Sequence, residues 1–246
     1  MFSVGDRNRA RDRVLELAQS DPRVVSGAVV GSLAHGGGDR WSDLDLTFAV
    51  VDEVPVTTVL EDWTERVSEE LDGLHLFDLP SGGAIYRVFL LPGGLQCDLS
   101  FAPASQFGPG SPRFELLFGD TIDKPPAAPR PAANVFGWAV AYARDARACI
   151  DRGRPWQAEH SISAVRDHAL DLACGRHGLP MRFGRGYDDL PPEVLAAFDG
   201  TLVRSLERDE LLRALEESVD CLLRESADVA DVAAKAEPRI RAWLRG

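Results

Sequence analysis

At 246 residues, with 45% hydrophobic and 27% charged side chains, the chain has an ordinary globular composition, which excludes fibrous and disordered classes and leaves room for one large domain or two small ones. A formal net charge of -12 opposes a polynucleotide partner, because nucleic-acid backbones are held by Lys and Arg, whereas the same acidic field attracts small cationic molecules. No apolar run reaches the ~18 residues of a membrane span and residues 1–13 lack the apolar centre of a leader, so a cytoplasmic protein with no membrane association is expected.

The first predicted element is a helix over Val4–Ser20, in which Val14, Leu17 and Ala18 share one face and Pro22 marks the end. The β-branched run Val24–Val30 reads as a buried strand feeding a Gly31-Ser32 turn, followed by the glycine-rich loop of Gly36, Gly37 and Gly38. A second strand is expected over 44–51, then a helix over Val56–Leu71 with Val59, Trp63, Val67 and Leu71 recurring every four residues. Residues 85–91 and 95–101, joined by Pro92-Gly93-Gly94, predict a hairpin. Pro103 to Pro112 and Lys124 to Pro131 break all periodicity, and the remainder of the chain reads as helical at 134–151, 156–177, 192–198, 207–224 and 227–244. Pro155, Pro192 and Pro238 sit where proline favours a helix start, and Trp138, Trp156 and Trp243 are expected in the core.

The expected architecture is therefore α/β (α+β): a mixed sheet with flanking helices over 1–123, a proline-rich linker over 124–133, and an all-α bundle over 134–246. Cys97, Cys149, Cys174 and Cys221 are scattered, with no Cys-x-x-Cys pair, and predict buried reduced thiols rather than a zinc site or a disulfide framework.

The chemistry concentrates in two stretches. In Ser42-Asp43-Leu44-Asp45-Leu46, strand alternation sends Asp43 and Asp45 to one side and the leucines into the core. In Leu95-Gln96-Cys97-Asp98-Leu99-Ser100-Phe101 the same alternation sets Asp98 on a polar face between apolar neighbours. Like-charged carboxylates on one face need a cation between them, and hard oxygen donors suit magnesium. If the two strands are neighbours, three carboxylates converge there, beside a Gly31-Ser32 turn whose N–H groups and hydroxyl suit phosphate. Read alone, an Asp-x-Asp pair is a solvated turn and Asp98 an edge-strand residue facing water; the fitting distances between all three elements favour the joint reading.

Gly-Ser at a helix start, then Asp-x-Asp, then a single Asp on a later strand resembles the DNA polymerase beta-like nucleotidyltransferase superfamily over about residues 24–101. The helical second half is similar to its aminoglycoside- and lincosamide-type antibiotic branch. The resemblance implies a nucleotidyltransferase domain carrying Mg2+ on Asp43, Asp45 and Asp98, with ATP or another nucleoside triphosphate as donor. Gly31, Ser32, Ser42 and Arg40 would hold its phosphates, Arg40 standing in for the arginine that the family usually carries at the position of His35. A nucleoside monophosphate would pass to a hydroxyl of a small molecule, with Asp98 or, in the helical half, Glu159 as base. The interdomain cleft is the expected acceptor site, and the loop Arg182 to Asp189 reads equally as a second candidate lining or as a simple connection between helices. Modification of a protein or RNA, and catalytically silent nucleotide binding, are the alternatives. Glu159 also fits a solvated helix face, and His168 and His177 are read as helix-surface or packing residues.

Overall fold

The computed structural model describes residues 1–246 except Pro126, Ala127, Pro129 and Gly246, and of Arg245 only the backbone. The chain divides into two compact units, Met1–Ala128 and Pro129–Gly246. Three residues of the expected linker, Pro126, Ala127 and Pro129, lie outside the described residues.

In the first unit α1 (Val4–Ser20) starts at a Ser3 cap, where the Ser3 hydroxyl and the Asp6 carboxylate each satisfy the other's backbone N–H. Strands β1 (Val24–Val30), β2 (Leu44–Val50), β3 (Leu74–Ser81), β4 (Ala84–Leu91), β5 (Leu95–Pro103) and β6 (Phe114–Phe118) form one sheet in the order β3-β4-β5-β2-β1-β6. Among the described strands only β2 and β5 pair in parallel, so the sheet is mixed, as expected.

Alternation divides the sheet into two unlike faces. Leu44, Leu46, Phe48 and Val50 of β2 pack with Leu95, Cys97, Leu99 and Phe101 of β5 against α1 and α2 (Val56–Leu71). Trp63 of α2 closes an aromatic trio there, its ring centroid 5.4 Å from Phe48 and 5.0 Å from Phe101. Its indole N–H donates to Asp21 at 3.0 Å. The hydrogen bond from Arg23 leads several contacts that pull the Asp21 carboxyl down to about 2. The opposite face carries Asp45, Thr47, Asp98 and Ser100, and the Ser100 hydroxyl donates to Thr47 across the β2–β5 pair at 2.6 Å.

Two strands have no counterpart in the sequence expectations. Every residue of β3 is exposed, so no buried alternation marks it, and Pro80 with Gly82-Gly83 resembles a loop; antiparallel pairing to β4 holds it. Strand β6 is only half-buried at Phe114, Glu115 and Phe118 and comes after a proline-rich stretch, yet it pairs antiparallel with β1.

The second unit is helical: α3 (Ala132–Asp151), α4 (Pro155–Arg176), α5 (Pro192–Ala196), α6 (Arg208–Arg224) and α7 (Ala230–Arg245). Small side chains let α3 and α4 approach closely, with Ala139, Ala143 and Ala146 facing Ala158, Ile162, Val165 and Ala169 in the core. Pro155 and Pro192 open helices, but Pro238 lies inside α7, which starts eight residues earlier at Ala230 after a 3-10 turn at Ala227–Val229. Trp138 and Trp156 are 62% and 76% exposed, correcting their expected core placement: the alanine stripe occupies the buried side of α3, and Trp156 is the second residue of α4, ahead of the buried run that begins at Ala158. All four cysteines are free and buried.

Candidate metal centre and phosphate cradle

Strand β2 runs directly out of the glycine-rich loop, which places Asp43 just ahead of it and Asp45 two residues on, beyond the buried Leu44. The parallel β2–β5 register sets Asp45 opposite Asp98. Both strands are interior to the sheet, so the edge-strand reading of Asp98 does not hold. Oxygens from Asp43, Asp45 and Asp98 all lie within 4.8 Å of one another, each side chain half-buried.

Burial is the main cause of a raised Asp98 pKa, and the Asp43 charge adds to it; the Gln96 amide, 3.0 and 3.1 Å from the two oxygens, works in the other direction. An all-oxygen, three-carboxylate set at this spacing matches the donor preference of a hard divalent cation, whose charge would offset the mutual repulsion. Arg7, buried at 6% exposure, fixes the approach of the chain to β2 by donating to the carbonyls of Asp39 and Ser42 at 2.6 and 2.8 Å.

Gly31 adjoins this cluster. Its φ of +73° favours glycine, and a Cβ there would stand 2.3 Å from Asp45 Oδ2, so the backbone reaches the carboxylate only because no side chain intervenes. Gly31 opens a short 3-10 turn, Gly31–Gly36, rather than an α-helix. Gly31 also borders an open pocket of about 520 Å³ walled by Ser32, Gly38, Asp39, Ser42 and Arg113, among others. The Ser32 hydroxyl is buried and has no hydrogen-bond partner. An orphaned hydroxyl beside glycine backbone is chemically matched to a phosphate oxygen.

The remaining sequence-derived candidates fall into different environments. Ser42 Oγ accepts from Asp39 N–H at 2.9 Å and lies 3.1 Å from Asp39 Oδ1, bracing the loop as well as lining the pocket. The Arg40 guanidinium stacks 4.1 Å from the Trp41 ring centroid. His35 takes a left-handed conformation, φ 58°, with its N–H donated to the Glu115 carboxylate. Glu159 lies on α4 in the second unit and accepts from Ser163 Oγ at 2.7 Å. In that unit the loop around Phe183 borders a separate cavity of about 590 Å³ with His168, Asp171 and Tyr187, where the Tyr187 hydroxyl donates to Asp171 at 3.2 Å and to the Asp167 carbonyl at 2.9 Å. Sequence reasoning missed Arg7 and Arg113. Neither belongs to a motif; one is hidden on an amphipathic helix and the other in a stretch without periodicity.

The first unit thus presents an oxygen-donor cluster suited to a divalent cation, adjoining a cradle suited to phosphate. No family model matches the sequence, and no curated protein matches it either. Among solved structures, an aminoglycoside 6-adenyltransferase from Bacillus subtilis matches at 13% identity and a TM-score of 0.41, covering 98% of this chain and 99% of that one. A nucleotidyltransferase-like protein from Exiguobacterium sibiricum matches at 13% identity and a TM-score of 0.39, covering 89% of this chain and 75% of that one. Similarity at that level does not carry an activity from one chain to the other. No described helix is long and apolar enough to cross a membrane.

Proposed function

We propose that the chain is a magnesium-dependent nucleotidyltransferase that moves a nucleoside monophosphate, AMP from ATP, onto a hydroxyl of a small molecule. The convergence of Asp43, Asp45 and Asp98 within 4.8 Å beside the Gly31-Ser32 turn carries this reading. These three carboxylates would hold the divalent cations, which supply positive charge to the phosphate oxygens and to the leaving group. Gly31 and Ser32 receive the phosphates, the Ser32 hydroxyl acquiring the partner it otherwise lacks. The acceptor oxygen forms a bond to the α-phosphorus as the bond to the β-phosphate bridging oxygen breaks, and pyrophosphate leaves. The hydroxyl proton passes to a carboxylate. Asp98, which sits with Asp43 and Asp45 at the cluster where the α-phosphorus would lie, is the candidate for that role.

The acidic net charge of -12 favours a cationic acceptor over a polyanion, and an aminoglycoside or lincosamide antibiotic fits that description. Four free buried thiols and a triphosphate donor suit the cytoplasm. Labelled ATP with Mg2+ and a panel of antibiotics and metabolites, read by pyrophosphate release, tests the proposal. The wild type should label one acceptor class and Asp43→Ala none. Labelling only of protein or RNA would redirect the acceptor assignment, and no labelling across the panel, with no binding of Mg2+ and ATP, would refute the reading.

A further inference from the structure

Arg113 is a cation that the ion pairs of the first unit leave unclaimed. In this acidic chain, with 39 Asp and Glu against 27 Lys and Arg, five of the unit's nine arginines are engaged with carboxylates: Arg9 with Asp6, Arg11 with Asp12, Arg13 with Glu16 and Glu70, Arg23 with Asp21 and Asp62, Arg87 with Asp78. Among the described residues Arg66, on α2 and not a wall of the pocket beside Gly31, also has no ion pair. Arg7 is committed to two backbone carbonyls, and Arg40 to the Trp41 ring. Among the described residues the Arg113 guanidinium has no hydrogen-bonding or ionic partner; only its backbone N–H is engaged, with Ser111 Oγ at 3.3 Å.

Its backbone is nonetheless fixed where a phosphate ligand would need it. Val30 pairs with Phe114 across the β1–β6 ladder, and one residue further the Gly31 N–H donates to the Arg113 carbonyl at 3.1 Å. Arg113 therefore stands directly across from the glycine that abuts Asp45, and it shares a pocket with the partnerless Ser32 hydroxyl. Asp39, a carboxylate on the same wall, is turned to its own loop through the Trp41 N–H at 2.9 Å and the Ser42 hydroxyl at 3.1 Å.

From this geometry we infer that Arg113 binds the phosphates of the nucleotide that leave as pyrophosphate, together with Ser32. The inference rests on the nucleotidyltransferase reading above and adds a residue to it. Asp43, Asp45 and Asp98 are not walls of the Arg113 pocket. With the α-phosphorus at the carboxylate cluster, that pocket is left for the distal phosphates. The planar guanidinium fork matches two phosphate oxygens at once, and its fixed charge compensates the negative charge that builds on the leaving group.

Two probes separate the inference from its parent: Mn2+ alone, followed by its spin-resonance signal, and inorganic pyrophosphate with Mg2+, followed by calorimetry. Arg113→Ala should bind Mn2+ as the wild type does, bind pyrophosphate at least about 10-fold more weakly, and raise the KM for ATP by a similar factor. Arg113→Lys, which restores a charge but no fork, should fall between the two and guards against a folding artefact. Unchanged pyrophosphate affinity and unchanged KM in Arg113→Ala would overturn the role of Arg113 and leave the parent reading standing. A wild type that binds neither Mn2+ nor pyrophosphate would overturn both.

Discussion

The two faces of the sheet in the first unit are built from the same strands and do opposite work. On the helix-covered face Trp63, Phe48 and Phe101 stack within 5.0 to 5.4 Å of one another, and the Trp63 indole N–H is satisfied by Asp21. On the other face, one residue along in the same strands, Asp45 and Asp98 crowd together with Asp43 just ahead of β2, and at the adjoining turn a serine hydroxyl is buried without a partner and a glycine takes a left-handed conformation so that backbone can reach Asp45. The first face stabilises; the second stores repulsion and unmet hydrogen-bonding capacity that a cation and a phosphate would relieve. Because residues two apart share a side and adjacent ones do not, strand register alone keeps the two functions separate.

That contrast predicts a double dissociation, and its largest effect is on activity. Asp98→Asn should lower the rate of nucleotide transfer by about 10³-fold while leaving the thermal midpoint unchanged or higher, since it removes one of three repelling charges. A drop in both would mean that the carboxylate supports the fold. Trp63→Ala should do the reverse, costing about 4 kcal/mol of stability through the cavity it leaves, with per-molecule activity retained in the fraction that stays folded. Denaturant titration and assay of the same samples would show which face was touched.

Smaller effects sharpen the boundary between the faces. Gly31→Ala places a methyl against Asp45 in a conformation that disfavours side chains, so Mn2+ affinity should fall about 10-fold with a modest loss of stability. Asp21 provides the pH test on the covered face. Its folded pKa of about 2 lies below the ordinary aspartate value, so its contribution is present above pH 4 and is lost as pH falls toward 2. Comparing wild type with Asp21→Asn by denaturant titration at pH 7 and pH 3 should reveal about 2 kcal/mol that shrinks on acidification. A difference that stays constant with pH would assign the role of Asp21 to shape rather than charge.

Much of this was legible in the sequence, for definite reasons. The helices Val4–Ser20 and Val56–Leu71 and the strand Val24–Val30 carry strong periodicity or β-branched runs bounded by Pro or Gly, and they occur over those spans. The placement of Asp43, Asp45 and Asp98 on one face comes from alternation, but their meeting needed the parallel β2–β5 neighbourhood, a long-range pairing that no local pattern encodes. Strands β3 and β6 stayed hidden because they are edges: exposed on both sides or nearly so, they have no buried alternation to read. Arg113 stayed hidden because its position depends on one of those edges. Trp138 misled through its size, since a helix packed by alanines leaves its large residues outside, and Trp156 because it stands ahead of the buried run of its own helix.

The most direct test of the carboxylate cluster is Mn2+ binding followed by spin resonance in wild type and in Asp45→Asn, at neutral pH and without nucleotide. A saturable site is expected in the wild type, and at least about 10-fold weaker binding in the variant at an unchanged thermal midpoint. Equal Mn2+ affinity in the two proteins, or none in either, would contradict a metal centre built on these carboxylates.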